Sequence, residues 1–222
     1  MVELSILIGE DQNGKAVPVT LNSEQDAMCI LGTYGSGKAM LLRNIIVQLC
    51  QLKNVEINLF DFKGVGKYDY LQKVSCLKKA GSGNTRSFKI QVIRYIEKLF
   101  EERASKDLCK SVIILDGCEE LFNETGLSDN MLEEVLKKGK EAGICFIIAL
   151  HQIDNIPQSM FSLFNIKILL KNSGGKNGRV NSEILKQSRN LKRGNGILIR
   201  EYNPEPILFR IHFMDTEKYF DC

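Results

Sequence analysis

The stretch Gly32-Thr33-Tyr34-Gly35-Ser36-Gly37-Lys38-Ala39 decides how this 222-residue chain folds. An apolar run, Met28 to Leu31, precedes it, and a helical run, Met40 to Val47, follows it. A strand, a glycine-rich turn ending in lysine, and a helix form the arrangement of a phosphate-binding loop. Glycines let successive backbone N–H groups curl into a nest for an anion, and the helix N-terminus adds positive partial charge. We therefore predict a phosphate site at residues 32–40, with Lys38 reaching the outer phosphates.

One residue departs from this pattern, which normally ends in lysine followed by serine or threonine. Here the last position is Ala39, so the hydroxyl that would bind the magnesium ion bridging two phosphates is missing. Magnesium usually keeps several waters, and one more water can take the vacant place. A hydrogen bond to a charged partner contributes about 1.5–3 kcal/mol, or roughly ten- to hundredfold in affinity. We expect nucleotide binding to be weakened but retained.

The composition is that of an ordinary globular domain. Apolar residues make up 44% of the chain and charged residues 26%, and the net charge of +3 is too small by itself to indicate nucleic-acid binding. Seven cysteines with no CxxC spacing and no signal peptide predict a cytosolic chain without disulfides. No apolar stretch approaches 18 residues, so no membrane span is expected. With two histidines and no Cys/His cluster, no zinc site is expected.

Alternating apolar and amphipathic segments predict an α/β fold with three layers: a mainly parallel sheet with helices on both faces. The expected core strands are residues 28–31, 55–60, 112–116, 144–150 and 166–170, and the expected helices are residues 40–49, 87–106, 129–142 (capped by Ser128), 158–163 and 181–190. Residues 65–85 have no clear pattern, and an exposed loop is expected at 81–84.

A β-hairpin is predicted at each end of the chain. Residues 4–9 and 16–21 flank Asn13-Gly14, a hairpin turn signal, and we place this hairpin at one edge of the sheet. Residues 196–200 and 207–213 form the second hairpin, across Asn203-Pro204. We expect a single domain over residues 1–222, with the hairpin extension in 1–25, the nucleotide-binding core in 26–200, and a closing strand and tail in 201–222.

Several polar residues follow the predicted parallel strands, where such sheets bind their ligands. Asp61 and Lys63 end one strand and either reach the phosphate region or form a simple turn. His151 ends another strand and is placed to sense the terminal phosphate; a histidine with its hydrogen bonds satisfied at a strand end is the alternative.

Asp116 ends a buried apolar run and fits the second motif of phosphate sites, whose carboxylate holds magnesium directly or through water. A solvent-exposed aspartate at a strand end is the alternative. In working ATPases of this kind a glutamate commonly follows the aspartate and activates water. That position is Gly117 here, and Glu119 and Glu120 are the candidate replacements.

Two groups of basic residues belong to no motif. We assign them to solvated helical faces, with an acidic partner, a neighbouring subunit or a nucleic-acid backbone as the alternatives. The groups are Lys137, Lys138 and Lys140, and Lys186, Arg189, Lys192 and Arg193.

The phosphate loop resembles the GxTGSGKS loop of the FtsK/SpoIIIE P-loop ATPases, and further segments resemble that family in the same order. They are Asp61-Phe62-Lys63, VIILDGCEEL at 112–121, AGICFIIA at 142–149 and Arg193-Gly194-Asn195-Gly196-Ile197-Leu198. Within the family, ILIGEDQNGKAVPVTL at 6–21 is similar to the start of ATPase domains in EssC/EccC, the membrane motor of type VII secretion. The chain is most similar to the last, C-terminal ATPase domain of such a motor.

The resemblance implies a RecA/FtsK-like fold, ATP or ADP as the ligand, and magnesium as its ion. It implies a position on the cytoplasmic side of the cell membrane, as the soluble part of a larger membrane protein of protein transport and virulence. The implied partners are other ATPase domains of the same polypeptide, secreted WXG100-like proteins and, in the full assembly, a homohexamer. Nucleic-acid binding and membrane insertion of this fragment are not expected.

Two functions are compatible with these residues. Ala39 and Gly117 remove a metal ligand and a water-activating carboxylate, and Leu150-His151-Gln152 replaces the Thr-Gln-Arg of the family. We therefore expect a degenerate nucleotide-binding domain that acts in substrate recognition and assembly, with weak or absent hydrolysis. The alternative is an active ATPase stage of a hexameric protein or DNA translocase.

Overall fold

The computed structural model describes residues 4–22, 27–68, 71, 74–103, 110–122, 131–151, 156–172 and 180–213. The strands within these ranges are β1 (Leu4–Asp11), β2 (Ala16–Leu21), β3 (Ala27–Leu31), β4 (Val55–Asp61), β5 (Leu77–Ser82), β6 (Lys110–Asp116), β7 (Ile144–Leu150), β8 (Ile166–Leu170), β9 (Asn195–Arg200) and β10 (Asn203–Ile211). The helices are α1 (Lys38–Gln51), α2 (Arg86–Arg103), α3 (Met131–Glu141), α4 (Gln158–Phe161) and α5 (Ser182–Arg189), with a 3₁₀ helix at Glu119–Phe122.

One sheet contains all of these strands, in the order β2-β1-β10-β9-β8-β3-β7-β6-β4-β5. The six strands from β8 to β5 run parallel to one another, and the four at the other end pair antiparallel. The predicted mainly parallel sheet is therefore confirmed. Because the parallel strands β3, β7, β6 and β4 are neighbours, their carboxyl ends lie side by side, and ligands of such sheets bind outside these strand ends.

Helices cover both faces of the sheet through two apolar layers. On one face α1 packs with Leu41 and Ile45 against β1 and β4. On the other face α2 and α3 pack with residues such as Val92 and Leu136. Alternate residues of β6 enter the two layers, as expected of a parallel strand buried on both sides. This arrangement confirms the predicted three-layer α/β fold.

The hairpin β1–β2 lies at the sheet edge where it was predicted. Its turn is closed by Asp11, whose N–H donates to the Lys15 carbonyl at 2.8 Å and whose side chain accepts from the N–H of Asn13 at 2.8 Å. In the second hairpin the predicted turn at Asn203-Pro204 is wrong. Asn203 already pairs with Arg200, so the turn is at residues 201–202. Proline without an N–H is tolerated there because the pairing is irregular between residues 203 and 207.

Strand β5 was not predicted, and it takes up residues 81–82 of the loop expected at 81–84, whereas residues 83–84 lie outside any strand or helix. Gly81 and Ser82 complete β5, which pairs with β4 at the sheet edge. The edge strand is only partly buried, so its residues show no apolar alternation. A Cβ at Gly81 would lie 3.1 Å from the Phe88 ring of α2, so the glycine allows that close packing.

Cys50 and Cys76 form a disulfide with Cα atoms 5.4 Å apart, so the prediction of a chain without disulfides is wrong. The two residues are 26 positions apart and come together because the end of α1 packs beside the segment leading into β5. No local spacing indicates such a pair. The free cysteines of the described chain are Cys29, Cys118 and Cys145, all buried.

The predicted end of α2 and the predicted start of α3 lie outside the described residues. Helix α2 is described to Arg103, short of its predicted end, and the predicted cap Ser128 lies outside the described residues. Helix α3 ends before Gly143, which adopts φ +68°, as predicted for a helix stop. None of the described helices is both long and apolar enough to cross a membrane.

Candidate functional site

The predicted phosphate loop connects β3 to α1 and is fixed from both sides. The N–H of Gly32 donates to the Leu150 carbonyl of β7 at 3.1 Å, and the N–H of Thr33 donates to the Lys171 carbonyl after β8 at 2.9 Å. Gly35 and Gly37 adopt φ of +72° and +108°, which side chains with a Cβ rarely adopt. The loop therefore curls as a glycine-rich nest between the two neighbouring strands.

Strands β9 and β10 close the loop from a third side. The N–H of Gly194 donates to the Ser36 carbonyl at 3.1 Å, and the N–H of Ile211 donates to the Gly194 carbonyl at 2.7 Å. A Cβ at Gly37 would lie 3.1 Å from the Ile211 side chain. The contacts of Gly194 place the residue before it, Arg193, at the mouth of the loop, where Arg193 lines a cleft together with the loop residues.

Lys38 begins α1 and is buried at 5% exposure. Its ammonium donates to the Gly32 carbonyl and lies 3.1 Å from Nδ1 of His151. Burial, followed by the nearby charge of Lys63, lowers the pKa of Lys38 to about 8, although Asp116 and Glu119 act in the opposite direction. The lysine predicted to bind phosphate is thus held inside the loop, with a pKa well below that of a free lysine.

His151 ends β7 and stacks on the ring of Tyr34, with centroids 4.8 Å apart and planes inclined by 19°. Burial and the charges of Lys38 and Lys63 lower the pKa of His151 to about 4, so the ring is neutral at pH 7. Because an ammonium can only donate, Nδ1 is the acceptor and Nε2 carries the proton. Nε2 is buried and has no hydrogen-bond partner among the described residues.

Asp116 is fully buried, so the alternative of a solvent-exposed aspartate is wrong. Its Oδ2 accepts hydrogen bonds from Lys67 Nζ at 2.6 Å and from the Tyr68 hydroxyl at 2.9 Å. Burial by itself raises the pKa of Asp116, but Lys67, Lys63 and the Tyr68 hydroxyl together hold it below its usual value. The carboxylate is therefore ionised, and an ammonium group neutralises it.

The backbone conformation and the surroundings of residue 117, which follows Asp116, do not suit the glutamate of a working ATPase. Gly117 adopts φ +76°, and a Cβ there would lie 2.7 Å from Cε of Lys63. Lys63 in turn lies in a turn that Asp61 stabilises, since Oδ1 of Asp61 accepts from the Lys63 N–H at 3.0 Å. The structure thus gives Asp61 the role of a turn residue and places Lys63 at the cleft.

Of the two glutamates predicted to replace the water-activating residue, only Glu119 has a described side chain. Glu119 accepts a hydrogen bond from the backbone N–H of His151, which joins the 3₁₀ helix to the end of β7. Glu119 is not among the residues lining the cleft. The side chain of Glu120 lies outside the described part of the structure.

A cleft of about 310 Å³ opens beside the loop. It is lined by Thr33, Tyr34, Gly35, Gly37, Lys38, Ala39, Met40, Lys63, Val65, Lys67, His151 and Arg193. Of the predicted loop residues, Gly32 and Ser36 are buried and do not line the cleft. All four charged lining residues are basic, so the cleft is suited to an anion.

Sequence reasoning missed Lys67 and assigned Arg193 to a solvated basic face. A usable signal for Lys67 was the glycine-punctuated segment Lys63-Gly64-Val65-Gly66-Lys67 immediately after a core strand. The other basic group behaves as predicted only in part. Lys137 pairs with Glu133 on the helix surface, whereas Lys140 donates to Asn165 Oδ1 and the Leu163 carbonyl, both at 3.0 Å.

The cleft fits a nucleotide phosphate better than it fits a divalent cation. The backbone N–H groups of a glycine-rich loop and basic side chains are suited to bind phosphate oxygens. For magnesium, Ala39 offers no oxygen. Of the two carboxylate oxygens of Asp116, Oδ2 binds the ammonium of Lys67, and Oδ1 is buried without a hydrogen-bond partner among the described residues. Hard cations require oxygen ligands and are repelled by a neighbouring ammonium. The residues therefore do not fit the predicted magnesium site at Asp116.

Several solved ATPases share this fold at low sequence identity. ATPases 2 and 3 of EssC from Geobacillus thermodenitrificans match with a TM-score of 0.74 at 15% identity, over 95% of this chain and 44% of that chain. ATPases 2 and 3 of Thermomonospora curvata EccC, in complex with a signal sequence peptide, match with a TM-score of 0.67 at 16% identity, over 96% and 41%. The pCW3 conjugation coupling protein TcpA, solved with ATPγS, matches with a TM-score of 0.70 at 16% identity, over 99% and 68%.

This chain spans less than half of the EssC and EccC chains that it matches, and 28% of the Thermomonospora curvata EccC cytoplasmic domain. No curated protein sequence matches it. The sequence model of the ATPase family associated with various cellular activities (AAA) matches residues 28–172, more than half of the chain, and the chain therefore belongs to the AAA family of ATPases.

Proposed function

We propose that this chain is a degenerate nucleotide-binding domain of a type VII secretion ATPase of the EssC/EccC kind. It binds ATP or ADP at the loop of residues 32–40 and hydrolyses ATP slowly or not at all. The observation that supports the proposal is the geometry of two positions on either side of the cleft. Lys38 lies inside the glycine nest, while Gly117 lies under the side chain of Lys63.

Nucleotide binding rests on the loop geometry and the charge of the cleft. Gly35 and Gly37 give the loop its curled backbone, in which the Ser36 N–H donates to the Thr33 carbonyl at 3.2 Å, and Lys38, Lys63 and Arg193 line the cleft beside it. An anion entering the cleft gains hydrogen bonds of the charge-assisted kind, which are about twice as strong as neutral ones. His151 adds a neutral donor, Nε2, which is buried without a partner in the described chain.

Hydrolysis lacks three components. Ala39 provides no hydroxyl for a metal ion, Gly117 provides no carboxylate for water, and Glu119 is engaged by the backbone N–H of His151. Phosphoryl transfer depends almost entirely on positioning and on stabilisation of charge in the transition state. Each of these losses therefore slows the reaction without removing the binding site.

The proposed role in an assembly is based on the domains and the peptide that the matching solved structures contain. The EssC and EccC matches contain more than one ATPase domain, and one EccC structure holds a signal sequence peptide. By analogy, this domain joins other ATPase domains of one polypeptide on the cytoplasmic side of the membrane. There it contributes to recognition of secreted WXG100-like proteins and to assembly of a homohexamer, as part of protein transport connected with virulence.

Calorimetric titration with ATP and ADP, combined with a hydrolysis assay, tests this function. We expect binding that Lys38→Ala abolishes and turnover indistinguishable from that of Lys38→Ala. Lys53→Ala is the matched control, because Lys53 is exposed beyond the far end of α1, roughly 20 Å from the loop. Turnover that depends on Lys38 would support the active-motor alternative instead, and absence of binding would contradict the nucleotide site.

A further inference from the structure

A lysine contacts Asp116, the residue type and position that hold the metal ion in phosphate sites of this kind. The ammonium of Lys67 lies 2.6 Å from Oδ2 of Asp116, and the Tyr68 hydroxyl donates to the same oxygen at 2.9 Å. The ammonium also lies 4.9 Å from the centroid of the Tyr68 ring. These contacts fix Lys67 without withdrawing it from the site, because its side chain retains 19% exposure and lines the cleft.

Lys63 approaches the cleft from a second direction. Its aliphatic stem covers Gly117, with Cε 2.7 Å from the position of an ideal Cβ. Its ammonium lies 5.3 Å from the centroid of the Tyr34 ring, above the phosphate loop. Lys63 therefore extends from the position of the missing glutamate to the loop, and only a glycine at 117 leaves space for this path.

We propose that Lys67, assisted by Lys63, replaces the magnesium ion, so that the cleft binds the phosphate chain of a nucleotide as a metal-free anion. The inference rests on the proposed nucleotide site and specifies the form of ligand that it takes. A phosphate-bound magnesium ion does two things: it neutralises charge and connects the phosphates to the acidic residue after the strand. Lys67 does both, because its ammonium joins the buried carboxylate of Asp116 to the open cleft.

The charges of the cleft agree with this substitution. Its charged lining residues are Lys38, Lys63, Lys67 and Arg193, and no carboxylate is among the lining residues. A metal-free polyphosphate carries more negative charge than its magnesium complex and matches such a lining better. A divalent ion, in contrast, would have to approach the ammonium of Lys67 and bind where Ala39 supplies no oxygen.

The experiment titrates the purified chain with ATP, ADP and inorganic tripolyphosphate, once with excess magnesium and once with EDTA. We expect ATP to bind in EDTA at least as tightly as with magnesium. Tripolyphosphate should compete with ATP in EDTA, because the substituting groups contact phosphate and not the nucleoside.

Variants separate Lys67 from the rest of the site. Loss of a hydrogen bond to a charged group corresponds to roughly ten- to hundredfold in affinity, so Lys67→Gln should weaken ATP binding in EDTA by at least about tenfold. Because Lys67→Gln leaves Asp116 without its ammonium, added magnesium should restore part of the lost affinity. Lys67→Arg should keep the metal-free binding. Lys53→Gln removes the same charge far from the cleft and should change nothing.

Three results overturn the inference while leaving the nucleotide site intact. The first is ATP binding by the wild type that EDTA abolishes, and the second is unchanged binding of Lys67→Gln in EDTA. The third is failure of tripolyphosphate to compete with ATP in EDTA. If ATP does not bind in either condition, both the site and the inference fail. If circular dichroism shows that Lys67→Gln does not fold, Lys63→Gln is tested in its place. Lys63 forms no ion pair with Asp116 among the described contacts. An unchanged affinity of Lys63→Gln for ATP in EDTA would again contradict the proposal.

Discussion

Nζ of Lys38 lies 3.1 Å from Nδ1 of His151, so the lysine of the phosphate loop is bound to a neutral acceptor at the end of β7. Lys38 also donates to the Gly32 carbonyl within the loop. Both contacts are made by the ammonium that would bind the outer phosphates, so an arriving nucleotide has to replace them. This exchange makes the protonation of Lys38 a measurable part of binding.

Nucleotide affinity should fall as the pH rises above about 8. The pKa of Lys38 is lowered to about 8 by burial and by the charge of Lys63, and phosphate binds the protonated form. Above this pH the lysine must take up a proton on binding, which costs about tenfold in affinity per pH unit. Dissociation constants measured between pH 6.5 and 9.5 test this.

Lys38→Arg provides the control for this pH dependence, because arginine stays protonated over the whole range. If the variant binds, its affinity should not fall above pH 8. Calorimetry of the wild type at pH 8 in buffers of different ionisation enthalpy should show uptake of a fraction of a proton. A wild-type dissociation constant that is flat up to pH 9.5 would contradict the prediction.

Lys38→Met should stabilise the empty domain at neutral pH while abolishing nucleotide binding. The pKa of Lys38 falls from 10.5 to about 8 on folding, so protonation opposes folding at pH 7 and this cost disappears above pH 10.5. After allowance for solvent screening and for the lost bonds to Gly32 and His151, we expect a gain of about 1–2 kcal/mol.

Urea unfolding at pH 7 and at pH 10.5 measures this effect. The stability difference between Lys38→Met and wild type should be largest at pH 7 and should shrink as the pH approaches 10.5. A variant that is less stable than wild type at pH 7 would show that the hydrogen bonds of Lys38 outweigh the cost of its buried charge.

Gly117→Glu should not restore hydrolysis, even when combined with Ala39→Ser. Gly117 has φ +76°, and its Cβ position lies 2.7 Å from the side chain of Lys63. A side chain there must adopt a strained backbone, at about 1–3 kcal/mol, and must also displace Lys63. We expect a lower midpoint of thermal unfolding and no phosphate release above background.

Gly143→Ala is the matched control for the strain at position 117. Gly143 has nearly the same φ, +68°, but no atom lies within 4 Å of its Cβ position. Gly143→Ala therefore measures backbone strain alone, and Gly117→Ala measures strain plus displacement of Lys63. Equal losses of stability in the two variants would show that Lys63 moves aside freely, and hydrolysis by Gly117→Glu would then become credible.

The features that were predictable from sequence are those encoded locally. The run Met28 to Leu31, the glycines after it and Lys38 determined the loop, and continuous apolar runs determined the parallel strands. Lys67 was missed because its importance comes from an ion pair with Asp116, 49 residues away. The glycine-punctuated segment around Lys67 indicates a turn after a core strand, but it does not indicate this partner. Strand β5 was missed because an edge strand is half exposed and lacks alternation. Arg193 was misassigned because its contact with the cleft depends on the docking of β9 on the loop.

The disulfide between Cys50 and Cys76 should stabilise the domain without affecting its site. It closes a segment of 26 residues, and in the chain-entropy treatment such a link contributes about 3–4 kcal/mol. Cys50 lies 12 residues after Lys38 on α1, about 18 Å along the helix, so nucleotide affinity should stay within about twofold when the link is removed. In a reducing cytoplasm the link would be open, and the domain would have to function without it.

Thermal unfolding of the wild type with and without reductant, beside Cys50→Ser/Cys76→Ser, tests this link. Reductant should lower the midpoint of the wild type to that of the double variant and should leave the double variant unchanged. Peptide mapping by mass spectrometry without reduction identifies the linked pair. A wild type that reductant does not destabilise would show that the thiols stay unpaired, and the packing of α1 against the segment before β5 would then hold the two cysteines together without a covalent bond.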